Sequence, residues 1–190
     1  IAGLLFTLIQ PAASAPLGWE PDFGAEVPAL TGHDDSETSV VLSFPFPFAG
    51  TTYTTVFVGN NGELQLGTLG PDNNIDYDHW EDLGDFLNDG GFPVLAAFNC
   101  DLDLSSTGTV HFKDFGNRAV FTWNEIGTNR AELHLLTFQI QLFPNGVIYF
   151  SYNGILDGEG EDLVTSLDEG ILVGISGSAG TDPGVVDLSG

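Results

Sequence analysis

Residues 42–67 read LSFPFPFAGTTYTTVFVGNNGELQLG, and this stretch predicts the fold of the chain. From Thr52 to Val58, threonine and valine alternate with other side chains, which is the period of two expected of a pleated strand. The sequence GNNG follows at 59–62, and Asn and Gly accept the positive φ angles that a tight hairpin turn requires. Two leucines then alternate with polar residues in the return strand. The stretch therefore predicts an entry strand followed by a β-hairpin.

Further strand-like stretches follow at regular spacing, with Gly, Pro, Asn and Ser between them and little helical periodicity. They lie at 92–103, 109–125, 132–152 and 171–176. Many short strands joined by turns predict an all-β protein, an antiparallel β-sandwich with acidic loops. Six apolar side chains match in strand phase and are expected to share one core: Phe121, Trp123, Phe138, Ile140, Phe150 and Val173.

Three separated landmarks resemble the nidogen-like (NIDO) extracellular domain. Residues 42–67 are similar to the family's PFxFxGxxYxxVxVxxNGxLxxG run, and 137–152 are similar to its TFQVxLxxxGxIxFxY ladder. Residues 92–103, FPVLAAFNCDLD, resemble the family's PxIAPFWxDxD strand, although Asn99 stands where the family has an aromatic residue. The resemblance covers about residues 40–176. It implies a nidogen-like β-sandwich that is secreted, lies outside the cell or at its surface, and is not an enzyme.

The composition divides the chain into three parts. Residues 1–15 are apolar and end in the small residues Ala13-Ser14-Ala15. Residues 16–38 are punctuated by Pro, Gly and Asp, which indicates a linker or edge segment. Residues 39–190 are expected to form the nidogen-like domain.

The N-terminal segment Ile1–Gln10, IAGLLFTLIQ, is uncharged and apolar on both faces of a strand. A short apolar stretch followed by Ala-Ser-Ala is typical of a secretory signal peptide, and it is too short to span a bilayer. The same two-sided apolarity also fits a retained strand that completes the sheet of a neighbouring subunit, in a ring or a filament. Under that second interpretation the interface residues are Ile1, Leu4, Leu5, Phe6, Leu8 and Ile9.

The charge of the chain excludes some partners. The chain has 27 acidic residues against 3 basic ones, a net charge of −24. Few groups can neutralise phosphates, so neither nucleic acid nor an anionic membrane surface is an expected partner. Such an excess of carboxylates indicates either halophilic adaptation or calcium sites.

Cys100 is the one cysteine, so no disulfide can form within the chain, and it is expected to be a small core residue.

The first candidate metal site lies in the stretch 92–103. If this stretch is one strand, Asn99, Asp101 and Asp103 alternate onto one face and place three oxygen-bearing side chains in a row. A hard cation relieves the repulsion between such neighbours, and calcium accepts six to eight oxygen ligands.

A second candidate is the acidic loop that begins at residue 72. Its oxygen-bearing side chains occupy alternate positions, as at the start of an EF-hand loop. Tyr77 and Leu83 stand where an EF-hand has Gly and Glu, which favours a looser calcium loop over an EF-hand. A solvated acidic loop remains the alternative for both sites. The candidate ligands of this loop are Asp72, Asn74, Asp76 and Asp78.

No catalytic motif is present: the chain lacks a His-Glu-x-x-His helix, a Gly-x-Ser-x-Gly elbow and a phosphate-binding loop. The sequence therefore predicts a secreted, non-catalytic structural or adhesion protein that assembles with itself or binds a component of the extracellular matrix. The alternative is a monomeric adhesion module that binds calcium or glycans and loses residues 1–15 as a signal peptide.

Overall fold

A computed structural model describes residues 18–68, 86, 92–128, 131–153 and 171–177, with the backbone alone for 131–134. In these ranges the chain forms β1 (Ala25–Glu26), β2 (Glu37–Phe48), β3 (Thr51–Gly59), β4 (Glu63–Leu66), β5 (Val94–Asn99), β6 (Leu102–Asp103), β7 (Thr109–Asp114), β8 (Ala119–Thr128), β9 (Ala131–Leu142), β10 (Ile148–Tyr152) and β11 (Leu172–Ser176).

The strands form two antiparallel sheets, which confirms the predicted all-β sandwich. The first sheet has the order β1-β7-β8-β9-β10, with β6 paired to β8 as well. The second sheet has the order β11-β5-β4-β3-β2. The hairpin predicted from residues 42–67 is β3 paired with β4, and its apolar positions Val56, Val58, Leu64 and Leu66 are fully buried.

The core lies between the sheets and is centred on Trp123 and Phe138. Their rings stack with centroids 5.0 Å apart, and the Trp123 indole N–H donates to the Gly59 carbonyl oxygen at 3.1 Å. Phe121 and Ile140 are fully buried in the same cluster, as predicted.

The expected burial of Phe150 and Val173 was wrong, because both are only partly buried. Their strand phase was right, since both side chains face the space between the sheets. However, β10 and β11 are the last strands of their sheets, so nothing in the described part of the chain covers these two side chains on their outer side.

The single strand expected over residues 92–103 was also wrong. The carbonyl oxygen of Gly62 accepts from both Ala97 N (3.2 Å) and Phe98 N (3.5 Å), which is a β-bulge in β5. Because of the bulge, the side chains of both Ala97 and Phe98 face the core, whereas strict alternation would place them on opposite faces of β5. β5 then ends at Asn99, and the chain crosses to the first sheet, where β6 pairs with β8.

A short segment that precedes β1 covers the outer face of the first sheet. The Gln139 side chain accepts from Glu20 N at 3.0 Å and donates to Glu20 O at 2.7 Å, and the Gln141 amide donates to the carbonyl of Gly18. Arg118 pairs with the Glu20 carboxylate. A Cβ at Gly18 would lie 3.5 Å from the Ser151 hydroxyl, so Gly18 itself lies beside β10.

Candidate functional site

At one seam of the sandwich, β10 of the first sheet faces β11 of the second, and no other described strand covers it. Within the described ranges, β10 pairs only with β9, and β11 pairs only with β5. Each therefore presents one edge of backbone N–H and C=O groups that no described strand bonds, which is the type of surface that accepts an additional strand.

A groove of about 430 Å³ lies between these two edges and is referred to below as the seam groove. Its volume is in the range of pockets that accept ligand groups. The lining side chains are apolar or aromatic and uncharged, and they include Phe98, Ile148, Phe150, Tyr152, Val173 and Ile175.

At the opposite seam, a carboxylate on β7 joins the two sheets by binding β2. Asp114 accepts from Ser43 N and from the Ser43 hydroxyl, both at 2.7 Å, and from Gly116 N at 2.7 Å. Burial raises the pKa of Asp114, but these hydrogen bonds outweigh burial, and the net pKa is lowered. The ionised carboxylate therefore fastens the two sheets together at this seam.

Tyr152 links the two sheets within the seam between β10 and β11. Its hydroxyl donates to the carbonyl oxygen of Ala97 at 2.7 Å, and burial raises its pKa to about 12. Ala97 lies at the β5 bulge, in the stretch where the register between β11 and β5 shifts. The bond therefore joins the two sheets beside the seam groove.

The acidic candidates Asp101 and Asp103 lie at one end of the sandwich, beside the loop that contains Asp34 and Asp35. Backbone hydrogen bonds join the two segments, from Leu104 N to His33 O at 3.1 Å and from Gly32 N to Leu104 O at 3.1 Å. Burial raises the pKa of Asp34, and the charges of Asp103, Asp35 and Asp101 raise it further. Sequence reasoning missed this neighbourhood because the two loops are far apart in the chain.

Asn99 does not lie beside Asp101 and Asp103 on one strand face. It is fully buried, and its amide donates to Asn61 O at 3.0 Å and to the Glu63 carboxylate. Asp103 instead accepts from Ser105 N at 2.6 Å and from the Ser105 hydroxyl at 2.8 Å. The predicted arrangement of Asn99, Asp101 and Asp103 on one strand face was therefore wrong, because the bulge and the crossing between sheets separate them.

Among the residues that the structure describes, no group of three or more His, Cys, Asp or Glu side chains is arranged to hold a metal ion. The other predicted site residues, the loop ligands Asp72, Asn74, Asp76 and Asp78 and the segment Ile1–Gln10, lie outside the described ranges.

Two buried polar residues of the hairpin were not anticipated as part of a site. Glu63 is fully buried, although its alternation with leucine suggested only the opposite strand face. Asn60 is also fully buried; its amide donates to His33 O at 2.9 Å and to Asp34 O, while its Oδ1 has no hydrogen-bond partner among the described residues. The Asn-Asn-Gly-Glu sequence predicts only a turn, and no neighbouring residue indicates that the loop at residue 33 packs on it.

Cys100 is buried at 1 % exposure, as expected of a core residue. Burial raises the pKa of its thiol well above the usual value, and the negative charges of Asp101 and Glu63 raise it further. The thiol therefore stays protonated and is a poor nucleophile.

The described strands define an antiparallel two-sheet sandwich domain with an apolar groove at one seam. A family model described as NIDO related matches residues 13–189, and the chain belongs to this family. The resemblance of the three landmarks to nidogen-like domains is thereby confirmed. No curated protein and no solved structure matches the chain. None of the described residues lies in a helix long and apolar enough to cross a membrane.

Proposed function

We propose that this chain is a secreted, non-catalytic structural or adhesion protein that assembles with copies of itself, each copy donating Ile1–Gln10 to a neighbouring subunit. The observation that carries this proposal is the seam between β10 and β11, where two strand edges and an apolar groove lie together. NIDO-related domains are generally extracellular, which supports a location outside the cell. A component of the extracellular matrix is the alternative partner for the same seam.

Charge supports the N-terminal segment as the contact between copies. Two chains of net charge −24 repel each other, so a stable contact between them has to be made by uncharged surfaces. Ile1–Gln10 carries no charged residue, and neither does the lining of the seam groove.

The family match supports the same assignment. It begins at residue 13, so nearly all of the apolar segment precedes the matched domain. Among the described residues, the buried cluster around Trp123 and Phe138 is built from residues 27–142.

Deletion of Ile1–Gln10 tests the proposal. We expect the full chain to sediment as a ring or filament and the deletion variant to sediment as a monomer that keeps the β-sheet circular dichroism spectrum of the folded domain. Sedimentation velocity and circular dichroism measure the two properties on the same samples. A deletion variant that assembles to the same extent as the full chain would contradict the proposal.

Calcium is a second candidate ligand. No three described acidic side chains are arranged to hold a metal ion, but the charges of Asp103 and Asp101 act on Asp34, and the buried Oδ1 of Asn60, whose amide donates to Asp34 O, has no hydrogen-bond partner among the described residues. Carboxylate, amide and carbonyl oxygens are the ligands that calcium prefers. We propose that calcium stabilises this end of the sandwich by binding the folded state.

Thermal unfolding in millimolar calcium chloride tests this proposal against sodium chloride of the same ionic strength. We expect calcium to raise the unfolding temperature more than sodium does, and the Asp34→Asn variant to lose part of the difference. Equal shifts from both salts would indicate screening alone, and the acidic groups would then be solvated loops.

A further inference from the structure

We propose that the outer face of the first sheet is a docking site for an extended acidic segment, and that residues 18–23 of a second copy are the partner that fits it. Residues 18–23, GWEPDF, are referred to below as the strap, and within one chain they occupy this face. The inference does not depend on the donation of Ile1–Gln10. It follows from how the strap is held, from where the basic side chains lie, and from the polarity of the face.

The face holds the main chain of the strap through the side chain of Gln139. The Gln139 Oε1 accepts from Glu20 N at 3.0 Å, and its Nε2 donates to Glu20 O at 2.7 Å. Gln141, two residues further along β9, donates to the carbonyl of Gly18. Within the described ranges, no backbone–backbone hydrogen bond joins the strap to the sheet. The strap is therefore held by side chains that contact its main chain, as a receptor holds an extended peptide, and it is not a strand of the sheet.

Two basic side chains beside the strap select acidic residues. Arg118 pairs with the Glu20 carboxylate, and Lys113 Nζ lies 3.1 Å from Asp22 Oδ2. Both cations also lie over the Phe115 ring, Arg118 at 4.8 Å and Lys113 at 5.5 Å from its centroid. The whole chain has only 3 basic residues and a net charge of −24. This face is therefore the part of the described surface where an acidic segment of another copy meets the least repulsion.

The polarity of the face allows one strap to be exchanged for another. Thr122, Gln139 and Gln141 lie beneath the strap and are at most 2 % exposed, and the Gln139 Nε2 also donates to the Thr122 hydroxyl at 3.0 Å. Such side chains can face water on the outer side of an antiparallel sheet. Apart from Val120, the buried side chains that β8, β9 and β10 direct to this face in the described ranges are polar. Departure of the strap therefore leaves the core between the sheets covered.

The strap also fixes its own conformation. Glu20 Oε1 accepts from Asp22 N at 2.8 Å, Asp22 Oδ1 accepts from Gly24 N at 3.1 Å, and the ring of Pro21 fixes its φ angle. These restraints lie within residues 18–24, so a separate copy of the segment carries them as well. A segment that is ordered before it binds loses less conformational entropy on binding. The peptide GWEPDFG, which copies residues 18–24, is therefore a suitable probe of the face.

Titration of the full chain with this labelled peptide tests the docking site. Glu20→Pro removes both the N–H that Gln139 accepts and the carboxylate that pairs with Arg118. We expect this variant to bind the peptide about tenfold more tightly than the unmodified chain does, because its own strap no longer competes. Asp22→Lys weakens the strap through an exposed side chain and is expected to act in the same direction.

The peptide GWQPNFG, which lacks both charges, is the control and is expected to bind more weakly to every variant. Circular dichroism identifies the variants that keep the fold. Equal binding of the two peptides would contradict recognition of acidic residues. A folded Glu20→Pro or Asp22→Lys variant that binds the peptide no better than the unmodified chain would contradict the docking site.

Mixing two complementary variants tests the second copy as the partner. Gln139→Glu keeps the strap but replaces the Nε2 donor of the face, whereas Glu20→Pro keeps the face but weakens the strap. We expect energy transfer when the two are labelled with different dyes and mixed. The control mixture replaces Glu20→Pro with the double variant Glu20→Pro/Gln139→Glu, which has neither function. Every variant retains Ile1–Gln10, so assembly through that segment contributes equally to both mixtures. Equal energy transfer in the two mixtures would overturn the second copy as the partner, whatever the result of deleting Ile1–Gln10.

Discussion

Replacement of Gly62 by alanine is expected to cost about 4 kcal/mol or more of folding free energy, a loss that only a few mechanisms produce. Gly62 has a φ of +85°, which alanine rarely adopts. An added Cβ would overlap the carbonyl oxygen of Phe98 and lie 2.9 Å from its carbonyl carbon. The clash is with backbone, so no side-chain rotation relieves it. It also falls at the bulge where Gly62 O accepts from Ala97 and Phe98.

Gly50→Ala is the matched control for this prediction. Gly50 has a similar φ of +77°, but a Cβ there would meet nothing within 4 Å. Its substitution should therefore cost only the backbone strain, about 1–2 kcal/mol. Equilibrium denaturation of the two variants measures the difference. Equal losses would mean that the close approach of the β3–β4 turn to β5 does not matter for stability.

Truncation of Phe138 to alanine is the second large effect, with an expected loss of about 3–5 kcal/mol. The Phe138 ring is fully buried, stacks on Trp123 at 5.0 Å and contacts the Phe98 ring at 5.7 Å. Its removal leaves a cavity between the two sheets that rigid strands cannot fill. Leu135→Ala, on the same strand but 43 % exposed, should change stability by only about 0.5 kcal/mol. A Phe138→Ala variant as stable as Leu135→Ala would show that this is not the centre of the core.

The parts of the fold that depend on local patterns could be predicted from the sequence. In the β3–β4 and β9–β10 hairpins, side chains alternate with a period of two, and the turn residues between the strands accept a positive φ. Both signals lie next to each other in the sequence, so each hairpin can be predicted locally. Gly62 and Gly146 do adopt positive φ angles at these turns.

The errors arise where a distant contact decides the outcome. Nothing within residues 92–103 indicates that the carbonyl of Gly62 will accept two consecutive amides and shift the alternation. The sequence likewise does not indicate that the loop at Asp34 will meet Asp103. Phe150 and Val173 were assigned to the correct face, but their exposure depends on the order of strands in each sheet, which is a property of the whole chain.

The two seams of the sandwich differ in a way that supports assembly. One is fastened by the ionised Asp114, which three hydrogen bonds hold at the β2–β7 boundary. The other has an apolar groove between its two strand edges, and the hydrogen bond from Tyr152 to Ala97 joins the sheets there. Natural sheets usually protect such edges with charge or with a covering segment, because exposed edges pair with other chains. A donated strand is one such covering segment.

The central claim requires that Ile1–Gln10 remain part of the mature protein. Mass spectrometry of terminal peptides, taken from the protein secreted by its native cells, tests this most directly. The proposed function predicts peptides that contain Leu4, Phe6 and Leu8, recovered from assembled material. Protein that begins uniformly at Pro16, after Ala13-Ser14-Ala15, would identify the segment as a removed signal peptide and would contradict strand donation.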